Sequence, residues 1–427
     1  MSVWNRVIRG VLSHAASTGP DLNAVLTARP DFALGQAVRG LSCLLLARSE
    51  MVAVAREAHD AALRAAPCTP RETAFVQALG DWLAGRPSRA AARLQDALDR
   101  DPRDALAMKM IQAIHFVMGR QQAMRASVEG VLGAWNDHPA RGYLLGCHAF
   151  TLEETGDYVA AERTGREGVA LAPDDAWGLH AVAHVHDMTG RARDGLAWLS
   201  GREGSWAHCN NFRFHVWWHR ALMHLDLGEH DVALAQYDAE IRAERTDDYR
   251  DVANAASLLA RLELDGVDVG DRWEELAQLA ETRSQDGCLA FADLHYMLAL
   301  CGGARDAAAA ALIARMRATL AAEGEAQRVI AHPGLHVAEG LRAFAGGDYA
   351  AAWAHLRAGR ADLRAIGGSH AQRDVFDRIT IEAALRGGYL DAAEAMLHDR
   401  RVRRGGALDG YADARLSLID AARSHAG

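Results

Sequence analysis

GDYVAAERTGREGVALAP, residues Gly156 to Pro173, repeats the pattern of GRPSRAAARLQDALDRDP, residues Gly85 to Pro102. In the earlier copy Gly85 is followed by Ala90, Leu94, Ala97 and Pro102, and in the later one Gly156 is followed by Tyr158, Ala161, Gly168 and Pro173. Glycine opens a turn, small residues recur on one helical face and proline closes the unit. Small side chains at that spacing let two helices approach closely, which is the ladder of a tetratricopeptide repeat. Gly85 to Gly119 and Gly156 to Gly190 are each 34 residues apart, the length of that repeat.

The turn returns as GEHDVAL from Gly228, GDYAAAW from Gly347 and GYLDAAE from Gly388, with weaker copies around Ser49, Gly266 and Gly303. Helical periodicity flanks each turn, β signal is nearly absent, and proline keeps mostly to repeat ends. The expected fold is all-α: one continuous right-handed superhelical solenoid of about ten tetratricopeptide-like helix pairs. Residues 1–30 should form an N-terminal cap, 31–140 the N-terminal repeats, 141–390 the repeats that line the groove, and 391–427 a C-terminal cap. Asp268 to Arg272 and Ala321 to Pro333 are the expected irregular joints.

Composition narrows the function classes. The chain has 427 residues, 50% hydrophobic and 24% charged, enough for a large core. A net charge of −9, a pI near 6.1 and no Lys/Arg run standing out from mixed signs exclude nucleic acid as the expected partner. Lys109 is the only lysine and no motif supports Schiff-base chemistry at it. Six scattered cysteines without a C-x-x-C pair, and no secretory signal at the start, suit a reducing cytoplasm. No run approaches the roughly 20 apolar residues that span a bilayer, so no membrane partner is expected. The oligomeric state is not legible.

One stretch carries chemistry. DDAWGLHAVAHVHDMTG, Asp174 to Gly190, holds His180 and His184 one helical turn apart. The first helix of each pair lines the concave surface, with inward positions 13, 10, 6 and 3 residues before the turn glycine; counting from Gly190 gives Trp177, His180, His184 and Asp187. Glu153 shares the offset of Asp187, with Glu154 beside it. In the next repeat HVWWHRALMH places His215 four residues before His219, at nearly the height of His180. Two histidine pairs and two or three carboxylates should therefore converge on one wall of the groove.

Four stretches, DAWGLHAVAHVHDM, FHVWWHRALMHLDLGEHDVALAQYD, DVANAASLLARLELDGVDVGDRW and GGSHAQRDVFDRITIEAAL, resemble the tetratricopeptide repeat protein 38 family. The resemblance is ordered from about Gly146 to Leu385, and the first hundred residues match only in repeat character. It implies an all-helical repeat protein and no particular reaction. Family-like positions are Glu153, Glu154, Trp177, His180, His184, His219, Asp293, His295, Gln372, Arg373 and Asp374.

Two functions fit this pattern. In one, the groove closes into a pocket for a small polar molecule, with Glu153, His180, His184 and His219 as candidate catalytic groups for metal-assisted or acid/base chemistry. His180, His184, His215 and His219 are then the candidate ligands of a divalent metal, since imidazoles one turn apart can chelate a first-row ion. Ligand contacts fall to Glu154, Trp177, Asp187, His215, Trp218, Asp293, His295, Gln372, Arg373 and Asp374, the last five completing the pocket from the opposite wall. Arg373, beside the helix start capped by Ser369, would recognise a carboxylate or phosphate. In the other function the groove is a non-catalytic scaffold for a peptide or protein, and the same histidines are hydrogen-bonded packing residues.

Overall fold

The structure is a computed structural model describing residues 2–426. Among the described residues it is helical, with no β-strand and only an isolated bridge between Ala15 and Cys209. After an N-terminal pair, Val3–Ser13 and Thr18–Ala28, ten helix pairs run from Ala33–Leu45 with Ser49–Arg64 to His370–Arg386 with Leu390–Arg403, and Gly410–Ala426 follows. The helices that position the site are Ala105–Val117, Arg141–Glu154, Ala176–Met188, Phe212–Asp226 and Tyr249–Leu264, each the first of its pair. The expected joint at Asp268 to Arg272 separates Leu264 from the next helix, and Ala321 to Pro333 holds a short helix, Glu325–Val329, and a wide turn, Ile330–Gly334.

The turns explain why some repeats read clearly and others faintly. Gly85 and Gly156 adopt φ of +76° and +88°, a left-handed conformation that glycine reaches without steric cost. At two of the three faint copies, around Ser49 and Gly303, the same conformation falls on Ala47 and Ala304, with φ of +51° and +55°. There the Cβ resists, and the glycine signal is missing from the sequence.

Close approach of backbones sets the registry of neighbouring pairs. A Cβ added at Gly146 would lie 2.0 Å from Asp175 Oδ2 and 3.0 Å from Gly178 Cα, so only glycine lets Arg141–Glu154 and Ala176–Met188 meet there. Asp175 is the N-cap of the second helix, its carboxylate accepting from Gly178 N at 3.1 Å. Two turns further along, this contact brings Glu153 against His184.

The superhelix closes on itself. Ser49 Oγ donates to Asp286 Oδ1 at 2.8 Å, and Arg283 reaches Glu50 at 2.7 Å. Gly119 packs on the backbone of Arg364, where a Cβ would meet the carbonyl oxygen at 1.9 Å. His370 N donates to Glu154 Oε1 at 2.6 Å. The N-terminal segment threads inward as well: Ala16 N donates to His208 O at 3.0 Å, Asn210 N donates to His14 O at 2.8 Å, and the His14 ring stacks on Phe212 and Trp177.

Candidate functional site

The four imidazoles converge as the repeat registry requires. One ring nitrogen of each of His180, His184, His215 and His219 lies within 4.8 Å of every other. His215 and His219 face each other Nε2 to Nε2 at 3.1 Å, and the His184 and His219 rings lie 4.2 Å apart between centroids. Three of the rings are oriented by a partner on their Nδ1 side: His180 toward Trp177 O at 2.5 Å, His215 toward Asn254 Oδ1 at 3.0 Å, and His184 toward Glu153 Oε2 at 3.5 Å. The last distance is too long for a hydrogen bond. Both nitrogens of His184, Nδ1 of His219 and both carboxylate oxygens of Glu153 are buried without a hydrogen-bond partner.

Electrostatics follow from that burial. His180 and His219 are held well below the ordinary imidazole range by loss of solvent and then by neighbouring imidazoles, and burial pushes His215 down to about 3. His184 moves the other way. Burial opposes its charge, but the carboxylates of Glu153, Glu154 and Asp187 outweigh it and raise its pKa.

Contrary to the expectation from repeat geometry, these side chains do not border an open groove. His184, His219 and Glu153 are 0% exposed and His180 is 1% exposed; His215 is the least buried of the four imidazoles. The physical reason is an aromatic cover the sequence did not announce: Phe116, Phe150 and Phe212 surround Trp177, and His14 from the N-terminal segment stacks over it. Trp177 is thus part of the seal. Trp218, 0% exposed and stacked on His215, is core. Lys109 lies in the same layer, its ammonium 4.9 Å from the Trp177 ring and 3.8 Å from Cys147 Sγ.

The residues expected on the opposite wall divide. Arg373 does cross the groove: its guanidinium binds Glu154 Oε2 at 3.2 Å and the carbonyls of Gly367 and Gly368. It is thereby committed to the protein, and so is Glu154, whose pKa is lowered because His370 and Arg373 outweigh its burial. Gln372 completes a capping box with Ser369, which accounts for it structurally. Asp293 is paired with Arg315 at 2.6 Å, and His295 binds Phe291 O at 2.7 Å; both are buried on Ala290–Gly302, away from the imidazoles. Asp374 and Asp187 are held by arginines, Asp374 by Arg400 at 2.6 Å and Arg378 at 2.8 Å, Asp187 by Arg404 at 3.5 Å.

Those arginines belong to the main cavity, about 1620 Å³, which lies open to solvent between the early and late repeats. Twelve arginines and eight carboxylates line it, so a chain of net charge −9 carries a local positive excess inside its groove. Neither the imidazoles nor Glu153 reach this lining. Among the described residues the lining arginines Arg56, Arg120, Arg328 and Arg364 are exposed and form no ion pair. Arg261 is 1% exposed, donates to Ser257 O and Ala371 O, and has no carboxylate within ion-pair distance; burial and then Arg378 push its pKa down to about 9. The run RRVRR, Arg400 to Arg404, overlooked against the mixed-sign background, supplies three of the lining arginines.

No known protein family profile matches the chain. Among solved structures it is similar to a human IFIT1 dimer with PPP-AAAA, at 14% identity and a TM-score of 0.39, over 96% of this chain and 98% of that one. That structure holds PPP-AAAA, and the exclusion of nucleic acid read from the composition is withdrawn. Net charge averages over the whole chain and does not register the arginine-rich lining of the cavity. No helix among the described residues is long and apolar enough to cross a membrane.

Proposed function

We propose that the chain is a tetratricopeptide-like binding protein whose central cavity holds an anionic ligand bearing several phosphate or carboxylate groups. The observation that carries this is Arg261, a guanidinium buried in the cavity wall without a counter-ion. Arginine keeps its proton in proteins, so such a charge costs several kcal/mol unless an anion compensates it. Arg56, Arg120, Arg328 and Arg364 offer further donors, while the lining carboxylates are engaged, Asp374, Asp377 and Asp187 by arginines and Glu325 by Ser88. The cavity exceeds the roughly 300–1,000 Å³ of ordinary small-molecule sites, which favours an elongated ligand. Membership of the tetratricopeptide repeat protein 38 family is part of the proposal, supported by the four stretches from Asp175 to Leu385. The six free cysteines support work in a reducing cytoplasm.

Isothermal titration with tripolyphosphate, citrate and a short oligoadenylate tests the proposal. At least one should bind with one-to-one stoichiometry, tenfold or more weakly to Arg364→Ala, and not at all to Arg261→Met, a variant expected to be as stable as the parent or more so. Absence of binding by all three, or equal binding by both variants, would refute it.

A further inference from the structure

We infer that His180, His184, His215 and His219 form a closed binding site for one late first-row divalent metal ion, with Glu153 as the outer partner of His184. The inference is independent of the anion cavity, whose lining excludes all five residues.

Donor chemistry comes first. Three of the rings present Nδ1 to an oxygen: a backbone carbonyl for His180, a side-chain amide for His215, a carboxylate for His184. The hydrogen bonds of His180 and His215 fix the Nδ1–H tautomer and leave the Nε2 lone pair for the interior, the outer-shell pattern of metal-bound histidines, while Glu153 stands 3.5 Å from His184 Nδ1 without a hydrogen bond.

Geometry agrees. Tetrahedral coordination at the usual metal–nitrogen distance of about 2.0–2.1 Å requires donors about 3.3 Å apart. The His215 and His219 nitrogens, at 3.1 Å, are already there, and the remaining donors lie within 4.8 Å, a gap that imidazole rotation closes. Packing without an ion leaves a cost behind: His184 has no hydrogen bond at either nitrogen and Glu153 none at either oxygen, in a volume that water does not reach. A bound cation removes it, using the lone pairs and giving the Glu153 carboxylate an adjacent positive charge. An all-imidazole set selects zinc, copper or nickel over calcium or magnesium, which prefer oxygen.

Four nitrogens saturate a tetrahedral ion, so no position stays open for substrate. The ion is structural, tying Ala176–Met188 to Phe212–Asp226. A second group, His336, Glu339 and His355, is partly exposed and serves as the control.

The test is cobalt substitution of the full chain after treatment with a strong chelator. One Co²⁺ per chain should bind with the intense visible absorption of a four-coordinate site, Zn²⁺ should displace it, and both should raise the melting temperature. His184→Ala with His219→Ala should abolish the absorption, and His355→Ala should leave it unchanged. Should the double variant fail to fold, X-ray absorption of the zinc-loaded parent decides: a shell of four imidazole nitrogens upholds the site, and an oxygen-dominated shell overturns it. Failure to take up either ion, or uptake lost in His355→Ala alone, also overturns it. Anion titration of the metal-free protein keeps this outcome separate from the fate of the cavity.

Discussion

Two buried polar clusters face the interior of this solenoid, and they solve the same problem differently. In the late repeats Arg400 binds Asp409 at 2.5 Å and Asp374 at 2.6 Å, Arg378 binds Asp374 at 2.8 Å, and Arg404 spans Asp226 and Asp187 at 3.4 and 3.5 Å. Every carboxylate there has a guanidinium; Asp374 is held well below its ordinary range because Arg400 and Arg378 outweigh its burial. In the central repeats four imidazoles and Glu153 are equally enclosed, yet His184 and Glu153 have no hydrogen bond at all. A cluster whose carboxylates are all paired, with Arg404 Nε left without a partner, is explained by the fold. One that leaves donors and acceptors unmet points to something outside the chain, and the same holds for Arg261 on the cavity wall.

The largest expected effect breaks the paired cluster. Arg400→Ala removes the shortest ion pairs of buried Asp409 and half-buried Asp374, leaving them Arg378 at 3.4 and 2.8 Å, and should cost about 3–5 kcal/mol in chemical denaturation. A loss under about 1 kcal/mol would mean that the ion network is solvated and the contrast false.

Next comes the N-cap that orients the imidazole helix. Burial raises Asp175 to about 7, against the charge of Lys109, with Asp174, Cys147 and Cys209 the other ionisable neighbours. The folded state therefore holds this proton across a range where the unfolded chain, at the ordinary aspartate value of about 3.9, has lost it. Its contribution to stability is fully present at low pH and falls as pH rises toward 7, by at most ~4 kcal/mol. Asp175→Asn keeps the cap acceptor and should flatten that slope between pH 4 and 8, as read from denaturation midpoints; an unchanged slope would place the titration elsewhere.

Smaller still is replacement of both unmet partners. In metal-free protein Glu153→Met with His184→Leu should change stability by less than about 1 kcal/mol, because two unsatisfied polar groups give way to apolar ones of similar size. A loss as large as that of Arg400→Ala would show that the histidine and carboxylate already satisfy each other. Smallest of all, Arg120→Ala and Arg364→Ala remove exposed, unpaired charges and should each stay within about 0.5 kcal/mol of the parent in thermal denaturation. Any larger loss would make them structural and weaken their assignment to a ligand.

The repeat turns were legible because glycine at Gly85, Gly156 and Gly228 answers a local demand, a positive φ that the sequence must supply in place. The imidazole quartet was legible for a related reason: helical spacing and the offset from a turn glycine fix which residues share a height. Closure of the superhelix was not, since it depends on contacts such as Gly119 with Arg364 and Glu154 with His370 between residues more than two hundred positions apart. Exposure went wrong with it. Trp177 lies beside the histidines, and the cover over it by His14 and Phe116 rests on where the N-terminal segment and the Ala105–Val117 helix pack. Arg373 looked functional because its partner Glu154 becomes visible only in three dimensions, whereas the role of Gln372 was open to reading in the sequence, Ser369 and Gln372 having the spacing of a capping box. The cavity arginines were hidden by averaging over the whole chain.

Anomalous diffraction from crystals grown with zinc, measured at the zinc absorption edge, tests the contrast most directly. A single peak enclosed by His180, His184, His215 and His219, and none among Arg378, Arg400, Arg404 and Asp409, is the predicted result. No peak between the imidazoles, with Glu153 and His184 instead drawn into a short hydrogen bond, would contradict it.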